Sequence, residues 1–154
     1  MKIIIGADPY GYALKEEVKK AITEEGYEVF DVSPEPIEYY NAAKLVAEGV
    51  QSGKYDRGIV LCGTGMGVSI IANKHKGVYA ALCESWFQAR RARICNNTNV
   101  LCMAGMLTGF SLGVEMALVW LKTEYLEGYS PEEIELFGGD FQELLDVEKE
   151  LFLP

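Results

Sequence analysis

Apolar residues change their period repeatedly along the chain. Short β-rich runs at residues 3–5, 27–32, 58–61, 79–82 and 100–103 predict strands. Between them, residues 14–25, 42–52, 68–73, 86–94 and 112–125 carry helix-like patterns. In the first of these, Leu14, Val18, Ala21 and Ile22 recur at helical spacing, and Gly26 ends the run. Alternating strands and helices predict an α/β fold with a parallel sheet covered on both faces and right-handed crossovers.

Two later segments extend this pattern. Residues 112–121 are apolar almost all round, which predicts burial on more than one face, the extra face being a subunit contact. The tail carries two capping-box patterns, Ser130 to Glu133 and Asp140 to Glu143. The second would open a helix with Phe141, Leu144, Leu145 and Leu151 along one side. The predicted organisation is an α/β domain over residues 1–126 and a helical tail over 127–154 that packs on a partner subunit.

With 154 residues the chain is long enough for one core, and no apolar run reaches a membrane span. The start has no leader pattern, so a cytoplasmic protein is expected. A net charge of −9 argues against a nucleic-acid binder. It leaves room for a small anionic ligand, because a local cluster such as Arg90, Arg91 and Arg93 overrides the mean field. The simpler reading of that cluster is a solvated helix face. The four cysteines, Cys62, Cys83, Cys95 and Cys102, match no zinc spacing, and the only histidine is His75 in a surface turn. Free thiols in a reducing compartment follow, with no metal.

In open parallel sheets, ligands bind beyond the carboxyl ends of the strands. The loop after the third strand, Cys62-Gly63-Thr64-Gly65-Met66-Gly67, is the most informative one. Its glycines leave amides uncovered at a helix N-terminus, where they receive an anion or a developing oxyanion. A thiol there should carry thiolate character, and a base beside oxyanion donors suits proton abstraction next to a carbonyl. A glycine turn with a buried thiol explains the same spacing equally well. Asp8, after the first strand, either orients a hydroxyl or caps the following helix. Asn96, Asn97 and Asn99 have the ordinary composition of a turn. Tyr39 and Tyr40 serve either the core or a site wall.

Taken together, the stretches "KIIIGAD", "GYEVFDV", "SGKYDRGIVLCGTGMGVSIIANK", "GVYAALC", "ARRARICNNTNVLCMAG" and "TGFSLGVEMA" resemble the family of type B ribose-5-phosphate isomerases and galactose-6-phosphate isomerases. The resemblance runs from Met1 to about Tyr125. It implies a Rossmann-like three-layer α/β/α sandwich with a five-stranded parallel sheet. It implies a homodimer or tetramer with sites between subunits, and no cofactor. Cys62 would be the base moving a proton between C1 and C2 of an open-chain sugar through a cis-enediolate. Amides from Gly63 through Gly65, Met66, Gly67 and Val68 to Ser69 would hold the enediolate oxygens. Asp8 would bind hydroxyls, Thr64 would assist, Tyr39 would wall the site, and Asn96 would reach in from the neighbouring subunit.

The departures from that pattern bear on the substrate. Pro9 stands where the family has a histidine after the aspartate, and Cys95 replaces the ring-opening histidine. Met106 replaces an arginine, and an acidic tail replaces a basic one. Lost charge-assisted contacts weaken dianion binding by about 1.5–3 kcal/mol each. The expected function is aldose–ketose isomerisation of a small sugar phosphate, a pentose, hexose or tetrose phosphate. The departures point toward a tetrose 4-phosphate, which cannot close a five-membered ring, or toward an unphosphorylated or differently charged sugar. Arg90, Arg91, Arg93 or Lys74 would then supply a cation. The rival reading is a non-catalytic sugar binder, or one chain of a mixed oligomer.

Overall fold

The computed structural model describes residues 1–152. Strands β1 (Lys2–Ala7), β2 (Glu28–Asp31), β3 (Arg57–Cys62), β4 (Ala80–Leu82) and β5 (Val100–Ala104) form one sheet in the order β2-β1-β3-β5-β4. Every pairing is parallel. Helices α1 (Tyr12–Glu24), α2 (Tyr39–Gln51), α3 (Met66–Ala72), α4 (Trp86–Asn96) and α5 (Phe110–Lys122) alternate with the strands, and α6 (Pro131–Phe137) and α7 (Asp140–Leu151) form the tail.

Strand side chains point alternately to the two faces. Ile3, Ile5, Ile59, Leu61 and Met103 face Leu14 and Val18 of α1, Ala89 of α4, and Met116 and Trp120 of α5. Ile4, Val60, Val100 and Cys102 face Val46 of α2 and Val68 of α3. Cys62 shares that second face, so its side chain emerges between the sheet and the α2–α3 layer. The result is the expected α/β/α sandwich, with central strands apolar throughout because both faces are covered.

Several details differ from the sequence reading. β1 runs on through Gly6 to Ala7 because both residues pair with β3. α2 begins at Tyr39, three residues early, since exposed Tyr39 and Tyr40 break the apolar stripe that marks the helix. The extra apolar face of α5 is taken up within the chain, by α1 and α4, with Leu14 pressed against Gly113. The Ser130 capping box forms, with Glu133 N–H donating to Ser130 Oγ at 3.3 Å and Ser130 N–H to Glu133 Oε2 at 2.8 Å. The second box does not form: Asp140 is already helical, and the cap is Gly139 without a side-chain bond.

Helix α7 rests on its own chain. The Phe141 ring lies 5.3 Å from that of Tyr79, and Glu148 accepts from Gly77 N–H at 2.6 Å and Tyr79 Oη at 3.0 Å. Burial, reinforced by the Glu148 carboxylate, pushes the Tyr79 phenol up to about 12. Leu136, Val147 and Leu151 remain exposed on the tail.

Candidate active site

The chain leaves β1 toward β2 on one side and leaves β3 toward β4 on the other, so the loops leaving β1 and β3 diverge and open a crevice at the strand ends. A cavity of about 270 Å³ lies there, lined by Asp8, Tyr10, Tyr39, Cys62, Gly63, Thr64, Gly67 and Met106. Another hollow, of about 190 Å³, lies against Phe30, Lys54 and Tyr55 at the β2 edge, where no nucleophile is present.

The β3 loop is built around the thiol. Cys62 is 5% exposed, and Gly65 N–H donates to its Sγ at 3.2 Å. This turn needs Gly65 at φ +71°, a conformation that a side chain disfavours. A Cβ on Gly67 would lie 2.7 Å from the Tyr39 ring, so the bare backbone lets that ring close the cavity wall. The loop after β5 is fastened to the same turn: Gly105 N–H donates to Cys62 O at 2.8 Å and Met106 N–H to Gly63 O at 3.0 Å. The first turn of α3 leaves the N–H groups of Met66, Gly67 and Val68 without backbone partners.

Asp8 is 7% exposed. Its Oδ1 accepts from Tyr10 N–H and Gly11 N–H, both at 2.9 Å. It therefore shapes the turn before α1 without being the N-cap, which is Gly11. Oδ2 has no protein partner among the described residues. Thr64 is exposed at the cavity mouth. Val68 is buried in the core, Met66 is exposed beside the cavity, and the Ser69 hydroxyl donates to Met66 O at 2.8 Å.

The remaining sequence candidates lie elsewhere in the chain. Arg90 pairs with Glu127 at 3.1 Å. Arg93 is buried and donates to the carbonyls of Thr98 and Thr123. Arg91 donates to Tyr129 Oη at 3.0 Å. The arginine cluster is therefore not a solvated face. Asn96 is exposed and borders a second hollow, of about 270 Å³, with Asn73, Tyr79 and Leu144. Neither Arg90 nor Asn96 reaches the Cys62 cavity of its own chain. His75 is half-buried rather than superficial, its Nδ1 3.1 Å from Ile71 O at the end of α3. Asn97 and Asn99 are turn residues: Asn97 ends α4 at φ +47°, and Asn99 bonds Gly77 and Tyr79. Burial pushes the Cys83 thiol up to about 11, and that of fully buried Cys102 higher still. Among the cysteines, Cys62 is the one that lines the cavity.

Sequence reasoning missed the support beneath the loops. Lys15 is fully buried, and its Nζ meets Asp31 Oδ2 at 2.8 Å and Ser33 O at 2.6 Å. Ser33 Oγ in turn accepts from Ala7 N–H at 2.8 Å, directly before Asp8. A lysine beside the apolar stripe of the first helix was the available signal. No group of three His, Cys, Asp or Glu side chains is placed to hold a metal among the described residues.

Comparison with known proteins adds to this geometry. The Ribose/Galactose Isomerase family model matches residues 3–136. A Clostridium sp. (strain MSTE9) protein named 4-deoxy-4-sulfo-D-erythrose isomerase is 41% identical, with 99% of this chain and 98% of that protein covered. The D-erythrulose-4-phosphate isomerase of Pectobacterium atrosepticum is 36% identical, with 90% and 93% covered. The structure of Clostridium thermocellum ribose-5-phosphate isomerase B superposes with a TM-score of 0.87 at 38% identity, with 98% and 99% covered.

Proposed function

The chain belongs to the ribose/galactose isomerase family, and from that premise we propose that it interconverts a four-carbon aldose and ketose bearing an anion at C4. It is an aldose–ketose isomerase of the sugar-phosphate class. In the proposed mechanism Cys62, as thiolate, takes the proton from C2 of the aldose. The electron pair moves onto the carbonyl oxygen and gives a cis-enediolate. Free amides at the start of α3 hold its oxygens in a preorganised site. Sulfur returns the proton to C1, while the O2 proton is lost and O1 gains one. Thr64 at the mouth assists that exchange between oxygens, Asp8 Oδ2 accepts from a sugar hydroxyl, and Tyr39 walls the site. The Gly65 N–H on Sγ holds the sulfur anion between turns of the cycle. No metal or organic cofactor enters this scheme.

One observation carries the choice of substrate. The Cys62 cavity has its thiol, amides and carboxylate in place, yet no histidine lines it and no cation. Pentose and hexose phosphates exist as closed rings, which need an acid–base group to open them. A tetrose whose O4 is esterified or absent cannot form the five-membered ring, so it arrives open. A sulfonate carries one negative charge where a phosphate carries up to two. A cavity holding Asp8 and no cation suits the singly charged group better. The similarity to a 4-deoxy-4-sulfo-D-erythrose isomerase over nearly the whole of both chains supports the same choice.

Deuterium incorporation at C1 and C2 in heavy water, followed by NMR, tests this. The expected order is 4-deoxy-4-sulfoerythrose first, erythrose 4-phosphate next, and ribose 5-phosphate at least about 100-fold slower. If ribose 5-phosphate exchanges fastest, the four-carbon assignment is wrong.

We infer further that two or four copies associate, with the cavity at their contact. Tyr10, Met66, Ile70, Met106 and Leu107 form an apolar rim around it, each more than half exposed. Asn96, remote from the cavity of its own chain, reaches a site only in a neighbouring copy.

A further inference from the structure

A terminal anion needs a cation, and the Cys62 cavity of one chain supplies none. Spacing along the sequence leaves Arg90, Arg91, Arg93 and Lys74 as donors, and the structure separates them. Arg90 is committed to Glu127 at 3.1 Å. Arg93 is buried against two backbone carbonyls, and Arg57 likewise caps the carbonyls of Trp120 and Leu121. Lys74 is exposed at the end of α3 with no polar partner for its ammonium among the described residues, so nothing fixes its position. Arg91 alone among the arginines faces neither a carboxylate nor a carbonyl. It is half-buried, and its Nη2 donates to Tyr129 Oη at 3.0 Å. Its guanidinium lies 5.7 Å from the centre of the Tyr129 ring. One helical turn on, Cys95 Sγ lies 3.6 Å from the same hydroxyl.

Resting on the isomerase reading above, we propose that Arg91 of a second copy, braced by Tyr129, receives the C4 anion of the sugar bound at Cys62. Bracing matters because a guanidinium already held in place loses less freedom when its fork donates to two oxygens of the anion. Arg91 does not serve its own cavity. It lies on α4, which runs away from the strand ends where Cys62 sits, and Tyr129 belongs to the segment leading into the tail. Beside it, Ile134, Leu136 and Phe137 expose a second apolar patch. A two-fold axis that sets this patch of one copy on the Cys62 rim of the other does so twice. Both patches are then covered, and each cavity with its lone carboxylate gains one guanidinium. A single positive charge also matches a sulfonate better than a dianion.

The test compares 4-deoxy-4-sulfoerythrose with 4-deoxyerythrose, which is uncharged and equally unable to close a five-membered ring. In Arg91→Leu, the ratio of kcat/KM for the sulfonate to that for the uncharged sugar falls about 100-fold, chiefly through KM, and Arg91→Lys recovers part of it. Equal losses on both sugars, or no loss on either, overturn the role of Arg91. Wild-type protein inactive on both overturns the four-carbon assignment instead. Mixing Cys62→Ala chains with Arg91→Leu chains then locates the donor. If Arg91 acts across the interface, half of the dimers are mixed and each has one complete site, so sulfonate turnover returns to about one quarter of wild type. If the mixture stays at the Arg91→Leu level, the donor acts within its own chain and the proposal fails.

Discussion

Cys62 occupies a position that a merely structural thiol would not need. Cys102 on the neighbouring strand β5 and Cys83 just beyond β4 are buried with raised pKa values, whereas Cys62 borders a cavity and takes an amide hydrogen on sulfur. Cys62→Ala should therefore lower turnover by at least about 100-fold while leaving the circular dichroism spectrum and melting temperature near wild type. Retention of most activity would remove the thiol from the mechanism. Spacing alone left a buried filler and a site thiol equally plausible. The direction of one side chain, set by the alternation of β3 and by Gly65 at positive φ, brings the sulfur to the cavity wall, which no spacing along the chain displays. Asp8 shows the same limit. Its place after the first strand was legible, but that one oxygen would take two turn amides while Gly11 caps α1 was not. Arg91 was legible only as one charge in a cluster, because what sets it apart depends on pairings 37 and 38 residues apart, Arg90 with Glu127 and Arg91 with Tyr129.

At the scale of elements, apolar periodicity located all five strands and the helix that follows each of them, because each has a face that must be covered. It missed Lys15, since a fully buried ammonium contradicts the pattern and is tolerated only through long-range partners. Lys15 joins α1 to the end of β2 through Asp31 and Ser33, and Ser33 holds the end of β1. Burial works to raise the Asp31 carboxyl, but hydrogen bonds from Lys15 and Lys19 outweigh it and hold the group below the ordinary range. With its folded pKa depressed, Asp31 stabilises the fold fully above its unfolded value of 3.8, and that stability is lost as pH falls through the lower folded value. Lys15→Met should cost about 3 kcal/mol in urea unfolding at neutral pH, as breaking a buried pair does. The gap between variant and wild type should narrow in acid. A constant gap between pH 7 and the acid limit would deny the Asp31 carboxylate its part.

For the whole molecule, the proposed isomerase site would be only half furnished by a single chain. The switch point between β1 and β3 supplies sulfur, amides and a carboxylate, and around it stand Tyr10, Met66, Ile70, Met106 and Leu107, all exposed. Covering one large apolar side chain contributes about 1.5–3 kcal/mol, and an isologous contact counts each such residue twice. Ile70 projects from α3 at 59% exposure and does not line the cavity, so it reports on association rather than on chemistry. Wild-type protein should scatter light as a dimer or tetramer at micromolar concentration. Ile70→Glu would place a charge in the contact and should shift the species toward monomer, with helix content unchanged. Turnover should fall in proportion to the oligomer remaining and recover as protein concentration is raised. That concentration dependence separates a lost partner from a damaged site, because an intrinsic defect in α3 would lower activity equally at every concentration. A wild-type monomer with full activity would mean that one chain completes the site by itself, and the cation would then have to come from a group that already lies near Cys62.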